Sequence, residues 1–423
     1  MSGFGCVILA AGKGTRFCSD TPKVLHDLHG KPVLQYVLET AAECGFGRPV
    51  VIIGRGTGEM RSFLKGRAVA VVQKRQLGTA DAVRAAKREL SRFEDVAVLY
   101  GDVPLVKRET LKSLIKRHRT SGASCTVLTV DMADPSGYGR IIRGISGDIE
   151  AIVEDKEATA EEKDIREINV GLCCFNRRDL FDAIARVRRA RVKKEFYLTD
   201  VVAILLGDGK KVGAFKTDDP DESVGMNSRA DLARAYSILS RRKIKELIGG
   251  SVTVLDAATT FISPDAKIGR DTIIYPFTVI EKDVVIGKRC AIGPFCRLRP
   301  GTVIANDAEV GNFVEVVRSK IGSRSKAKHL TYLGDAVVGK GTNVGCGTIT
   351  ANYDGRKKNR TVIGDRVFVG SGTVLVAPVK VGNGATTGAG SVILKNKNVP
   401  AGGVAVGVPA RILNKSKKVK GKR

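Results

Sequence analysis

The segment Leu9-Ala10-Ala11-Gly12-Lys13-Gly14-Thr15-Arg16 carries the residue types that bind a phosphate chain, and it closes an apolar strand candidate. Small side chains and two glycines let backbone N–H groups approach anionic oxygens, while Lys13 and Arg16 add charge. Lys23 follows in Thr-Pro-Lys-Val-Leu-His. Gln73 and Gln76-Leu77-Gly78-Thr79-Ala80 come after another strand candidate, and Tyr100-Gly101-Asp102-Val103-Pro104 ends the next one. A carboxylate at such a tip suits Mg²⁺ held against a triphosphate, although turns use the same residue. The chemistry these groups support is phosphorus-centred transfer, in which positioning and charge neutralisation do most of the work. A second set lies later. His329 is the only histidine beyond residue 118. Its imidazole is the side chain best matched to taking a proton near neutral pH.

The elements that must position these groups differ in the two halves. Residues 1 to 227 alternate apolar strand candidates (7–11, 50–53, 70–72, 96–100, 126–130, 212–215) with helix candidates (32–42, 79–90, 109–119, 178–187). That alternation predicts a mostly parallel α/β sheet, with ligands at the carboxyl ends of its strands. From Ile262 to Val316 an aliphatic residue recurs every six positions, and the rhythm returns at Ile363, Val369, Leu375, Val381 and Ile393 with Thr387 as a defect. No helix has that period. A solenoid does, because each short strand turns one aliphatic side chain into a narrow shaft. Glycine after the aliphatic residue, as in Val344-Gly345, suits a corner that a side chain would obstruct.

The rhythm breaks twice. It slips after Val316, and His329 lies in the affected stretch 323–333; after Val344 an insertion is read over 350–358. Insertions in solenoids map to faces where sites are built. Between the halves, residues 228–250 predict a joining helix that Ser228 and Asp231 would cap. The domains expected are therefore 1–227, the linker 228–250, the array 251–410 and a basic tail 411–423.

A chain of 423 residues predicts more than one core. The opening residues lack the basic start of a signal peptide, and no apolar run is long enough to span a membrane. Nine scattered cysteines without a C-x-x-C pair suggest reduced structural thiols and a cytoplasmic setting. The net charge of +27 suits polyanionic small molecules or simply a solvated surface. An aromatic content of 5% and the absence of Trp supply few stacking platforms, which argues against nucleic acid as the partner.

The motifs L-A-A-G-K-G-T-R, T-P-K-V-L-H, Q-L-G-T-A, Y-G-D-V-P-L, G-Y-G-R-I, I-V-E-D-K-E-A-T and E-I-N-V-G resemble those of the sugar-1-phosphate nucleotidyltransferases. Followed by a hexapeptide array, they resemble the bifunctional N-acetylglucosamine-1-phosphate uridylyltransferase/glucosamine-1-phosphate N-acetyltransferase family along nearly the whole chain. The resemblance implies a Rossmann-like α/β nucleotidyltransferase domain followed by a left-handed parallel β-helix. It implies that Leu9, Ala10, Ala11, Gly12, Gln73, Gly78, Thr79, Tyr100 and Gly101 line the UTP site, with Arg16 and Lys23 on phosphates. Asp102 and Asn227 would carry Mg²⁺. Gly139, Glu154 and Asn169 would hold the N-acetylglucosamine moiety, with Glu195, Tyr197 and Thr199 nearby. In the array, His329 would be the general base for acetyl transfer from acetyl-CoA. Arg299, Tyr332, Asn343, Asn352, Tyr353 and Lys358 would meet the sugar phosphate or its neighbours. Ser371, Ala389 and Arg411 would lie near the thioester and CoA. A homotrimer with acetyl sites shared between chains is also implied.

Two positions depart from the family pattern. Val317, followed by Arg318, stands where a phosphate-binding Lys is usual, and Gly407 stands where an Arg often meets CoA. These departures keep a second reading open, in which only nucleotidyl transfer occurs and the array is a trimerisation scaffold or serves another sugar. A third reading, a non-catalytic assembly protein, is opposed by the intact Arg16, Lys23, Asp102 and Asn227.

Overall fold

The computed structural model describes residues 3–12, 14–55, 58–188 and 195–413. Lys13, most of the basic run 186–194 and the stretch 415–423 lie outside the described residues. The chain divides into two compact units, and the division at Ala235/Tyr236 falls inside the helix Arg229–Gly249. The expected cap of that helix is present. The Ser228 N–H donates to Asp231 Oδ2 at 2.8 Å, and the Asp231 N–H donates to Ser228 Oγ at 3.2 Å.

Seven strands form the main path of the nine-stranded sheet of the first unit: β1 Phe4–Leu9, β2 Val50–Ile53, β3 Val69–Val72, β4 Asp95–Tyr100, β5 Cys125–Asp131, β6 Glu167–Asn176 and β7 Val212–Thr217. Their order is β7-β5-β6-β4-β1-β2-β3. All pairs are parallel except those of β6, which runs antiparallel between β4 and β5. The sequence reading lacked β6 and the hairpin Arg140–Arg143/Ile149–Val153 that joins it through Ile168↔Arg140. The candidate helix 79–90 is also shorter than expected, ending at Ala85 before a run of turns.

Residues on the two faces of β1 show why the sheet is two-sided. Ile8 packs into one apolar cluster with Leu34, Val37 and Leu114, whereas Val7 packs into another with Val83, Phe175 and Leu180. Helices such as Val33–Glu43 and Arg177–Arg186 bury one stripe each against these faces. Burial pushes the Cys125 and Cys174 thiols well above the usual range, so these cysteines behave as small apolar core residues.

The second unit is a left-handed β-helix of three parallel sheets. One column of inward residues reads Ile262, Ile280, Leu298, Val316 and Leu333 in register; another reads Ile274, Ile292, Val310, Ala327, Val344 and Val369. These side chains form one continuous core. At Gly345 an added Cβ would sit 2.6 Å from the Ser371 nitrogen of the next coil, so only glycine permits that stacking. The Thr387 defect is also resolved. Its hydroxyl lies 2.9 Å from Thr373 Oγ1 and accepts from the Gly370 N–H at 3.1 Å, which satisfies a polar group in the shaft.

Two readings of the rhythm need correction. His329 lies in the regular strand Lys326–His329, paired Asn312↔His329, and not within the slip. The slip is a residue missing from one corner, between Val316 and Ile321, and missing again between Leu333 and Val338. Thr350 is inward-facing and paired with Leu375, so the insertion begins after it and not at it. Deletions and insertion therefore fall at one corner of three successive coils.

Candidate functional site

The first site opens at the carboxyl ends of β1 and β4. A cleft of about 230 Å³ is lined by Leu9, Ala11, Gly12, Gln73, Gly78, Thr79, Tyr100, Asp102 and Glu195. Crossing of the parallel strands brings the Leu9–Gly12 segment beside Tyr100–Asp102, since Leu9 pairs with Tyr100. Gly78 is required where it stands. Its φ is +115°, and an added Cβ would lie 2.6 Å from the Phe196 nitrogen. The Phe196 N–H in turn donates to the Leu77 carbonyl at 2.7 Å, and the Leu198 N–H donates to Thr79 Oγ1 at 2.9 Å. The segment after Glu195 is thereby sewn to the floor of the cleft.

At the mouth, Lys23 Nζ forms a close ion pair with Asp102 and donates to Asn227 Oδ1 at 3.4 Å. Three residues separated by up to 204 positions thus meet at one point. A carboxylate and an amide oxygen reaching one cation is a donor set that fits Mg²⁺, which takes few protein oxygens and completes its shell with water and phosphate. Arg16 lies in the short turn Thr15–Phe17 and is exposed, apart from the residues that line the cleft.

The residues expected on the sugar side also gather. The Asn169 N–H donates to the Gly139 carbonyl at 2.8 Å, and Asn169 Oδ1 accepts from the Gly171 N–H at 2.9 Å. Thr199 Oγ1 donates to Glu154 at 3.0 Å. Burial pushes the Tyr100 phenol far up, so it stays neutral.

Asp200 was missed. Burial, reinforced by Glu157 and Glu154, pushes its carboxyl from 3.8 to about 6. No local motif signals this, because the carboxylates that crowd it come from a distant loop. A raised acid pKa favours the folded protein below the ordinary value, and that advantage is lost as pH rises to about 6. Above that the ionised form costs about 1–2 kcal/mol, after discounting for partial hydration. Asp200→Asn is therefore expected to raise the denaturant midpoint at neutral pH and to leave it unchanged below about pH 4.

The second site forms along one edge of the β-helix. The Gly347 N–H donates to the Leu330 carbonyl at 3.1 Å, the Gly372 N–H to the Cys346 carbonyl at 2.7 Å, and the Gly390 N–H to the Ser371 carbonyl at 2.7 Å. These links stack His329, Cys346, Ser371 and Ala389 in successive coils, each just before a corner. Coils of parallel strands lie about 4.8 Å apart, so the column is compact. His329, Ser371 and Ala389 are exposed and Cys346 is half-buried. Cys346 was not anticipated; its offset of seventeen residues from His329 could have marked it once the shortened coil was known.

The next corner carries the other predicted groups. Arg299 Nη1 donates to Glu315 at 2.8 Å, and Glu315 pairs in register with Tyr332. The Tyr332 hydroxyl and Asn352 Nδ2 both lie over Gly334, which has no side chain to displace them. Asn352 donates to Asp335, whose carboxyl is held below the usual range by Arg318 first, then by Asn352 and Lys358. Asp354 organises the inserted loop: its Oδ1 accepts the Lys357 N–H at 2.8 Å and its Oδ2 accepts Asn359 Nδ2 at 2.8 Å. Exposed Tyr353 and Lys358 face each other across an isolated bridge in that loop.

Not every predicted residue joins these groups. Asn343 lies on the sheet that carries His329 but at the other end of its strands, paired with Lys326 and Phe368, and Arg411 is exposed on the terminal hairpin opposite Val406. Val317 is only 2% exposed, and the Arg318 guanidinium is already engaged by Asp335 through two bonds of 2.7 Å. Among the described residues no three His, Cys, Asp or Glu side chains gather as a metal cluster, and no helix is long and apolar enough to cross a membrane.

Residues 6–200 match the family described as MobA-like NTP transferase domain. Residues 265–299, 283–318 and 360–395 match the bacterial transferase hexapeptide family of six repeats. A relative from Geobacillus thermodenitrificans, named Bifunctional protein GlmU, is 41% identical, with 97% of this chain and 96% of that protein covered. Its namesake from Heliobacterium modesticaldum is 45% identical, with 95% and 94% covered. The one from Carboxydothermus hydrogenoformans is 43% identical over 98% of this chain and 99% of its own length.

Proposed function

This chain belongs to the GlmU family, and from that membership we propose how its two units divide two successive transfers. It is a bifunctional enzyme, an N-acetylglucosamine-1-phosphate uridylyltransferase and a glucosamine-1-phosphate N-acetyltransferase. The meeting of Lys23, Asp102 and Asn227 at the mouth of the first cleft is the observation that carries the uridylyl assignment.

In that transfer a phosphate oxygen of N-acetylglucosamine-1-phosphate attacks the α-phosphorus of UTP in line. The bond to the β-phosphate oxygen breaks and pyrophosphate leaves. The attacking oxygen is already anionic, so no general base is needed. Gln73, Gly78 and Thr79 with the Leu9–Gly12 backbone hold the uridine end. Lys23 neutralises the phosphates, and Arg16 reaches them from its exposed turn. Asp102 and Asn227 would hold Mg²⁺, which when bound neutralises charge on the triphosphate. Gly139, Glu154 and Asn169 hold the sugar, with Thr199 fixing the Glu154 carboxylate.

In the acetyl transfer the amine of glucosamine-1-phosphate attacks the thioester carbonyl of acetyl-CoA. His329 takes the amine proton, the C–N bond forms, the C–S bond breaks and CoA leaves. Ser371 donates to the developing oxyanion. Arg299, Tyr332, Asn343, Asn352, Tyr353 and Lys358 supply the sugar-phosphate side and its neighbours, while Ala389 and Arg411 complete the site toward CoA. With Val317 buried and Arg318 bound to Asp335, the phosphate charge is met by Arg299 and Lys358. A homotrimer is supported by an exposed apolar column beside His329: Phe277, Phe295 and Phe313 stack at 4.8 and 5.0 Å, and Leu330 continues them. The product of both steps is UDP-N-acetylglucosamine. The test is whether the purified protein releases pyrophosphate from UTP only when N-acetylglucosamine-1-phosphate is present; release without the sugar phosphate would contradict the assignment.

A further inference from the structure

We propose that a second pocket of the first unit binds a small, multiply charged phosphate anion and reports its presence to the nucleotide cleft. The pocket holds about 580 Å³ and brings together Arg55, Lys74, Arg75 and Arg84 against a single carboxylate, Asp81. Its remaining polar wall is Gln73, which also lines the nucleotide cleft. Arg55, Lys74 and Arg75 are exposed, and among the described residues no carboxylate pairs with them. Three unpaired cations around a cavity repel one another unless an anion sits between them. Guanidinium forks match phosphate oxygens bidentately, and a concave site of this size suits a small ligand better than a polymer laid on a surface.

Hydrogen bonds link this pocket to the cleft. Arg84 is held by Asp81 Oδ1 in a close ion pair. Asp81 Oδ2 accepts from Gln73 Nε2 at 2.9 Å, and the same nitrogen donates to the Gly78 carbonyl at 3.1 Å. Gln73 is 4% exposed, so it has few alternative partners. A phosphate seated among the four cations competes with Asp81 for Arg84. Asp81 is then free to move, and Gln73 loses the acceptor that sets its orientation toward the cleft. The binding claim stands alone; the coupling claim rests on the uridylyl reading above.

Inorganic tripolyphosphate in EDTA is the probe, titrated calorimetrically into the full-length protein. Lys23→Ala removes the ammonium of the nucleotide cleft and so weakens binding there. The expected result is that Lys23→Ala protein binds tripolyphosphate and that adding Arg55→Ala, Lys74→Ala and Arg75→Ala weakens it at least about tenfold. Equal affinity with and without the three changes overturns the site. The triple variant with Lys23 intact should keep the parent uridylyl rate, which certifies its fold. At fixed free Mg²⁺, tripolyphosphate should raise the KM for UTP of the parent more than that of the triple variant. An identical rise in both assigns the effect to competition in the nucleotide cleft and overturns the coupling. A parent without uridylyl activity would fail the functional reading while leaving the calorimetry decisive.

Discussion

Asp102→Ala is expected to lower the uridylyl rate by roughly 10²-fold or more, with acetyl transfer unchanged. Asp102 sits at the end of an apolar strand whose position is set by pairing on both sides, so its carboxylate is presented rigidly at the cleft mouth. Removing it takes away the acceptor that holds Lys23 and one of the two oxygens offered to Mg²⁺. Both losses weaken neutralisation of the transferring phosphate, which is where catalysis of this type resides. Asp102→Asn keeps the shape and loses the charge, so it should fall between the parent and the alanine variant. The measurement is initial pyrophosphate release at saturating UTP and Mg²⁺. A near-parent rate there would remove Asp102 from the site.

His329→Ala is expected to lower acetyl transfer by about 10²- to 10⁴-fold, the usual worth of a positioned general base, and to leave uridylyl transfer intact. His329 is exposed at the end of a regular strand, one coil before Cys346 and two before Ser371. Among the described residues its ring has no side-chain hydrogen-bond partner, which leaves it open to the attacking amine. CoA is best read by chromatography, since an exposed Cys18 and a half-buried Cys346 would react with a thiol dye. A variant that retains full acetyl transfer would exclude His329 as the base.

The solenoid was legible because one side chain must enter the shaft per short strand, and that constraint writes itself as a six-residue period. Its interruptions were harder. Thr350 reads as part of an insertion because it is polar, yet it lies in the aliphatic column with its hydroxyl satisfied by the Tyr332 and Gly334 carbonyls. A missing residue at a corner shifts everything after it in sequence while leaving the stacking intact, which is why His329 reads as displaced and is not. The Gly-rich turn, Lys23 and Asp102 were legible from local types. Their meeting with Asn227 was not readable from spacing, since it depends on how β1, β4 and the segment after β7 pack. Asp200 escaped for the same reason. The antiparallel β6 also escaped, although Ile168, Val170 and Leu172 alternate with Glu167, Asn169 and Gly171; its partners lie far away in the chain. The buried Val317 and the engaged Arg318 show why a departure from a family's phosphate-binding position cannot be judged from charge alone.

The central claim is that one chain carries two independent transfer sites. The direct measurement is a reciprocal assay of the purified parent, Asp102→Ala and His329→Ala proteins, following CoA release with glucosamine-1-phosphate and pyrophosphate release with N-acetylglucosamine-1-phosphate. The account predicts that the parent performs both reactions, that Asp102→Ala loses only the second, and that His329→Ala loses only the first. A parent that makes UDP-N-acetylglucosamine from N-acetylglucosamine-1-phosphate but releases no CoA would contradict it and leave the β-helix a scaffold or an acyltransferase for another sugar.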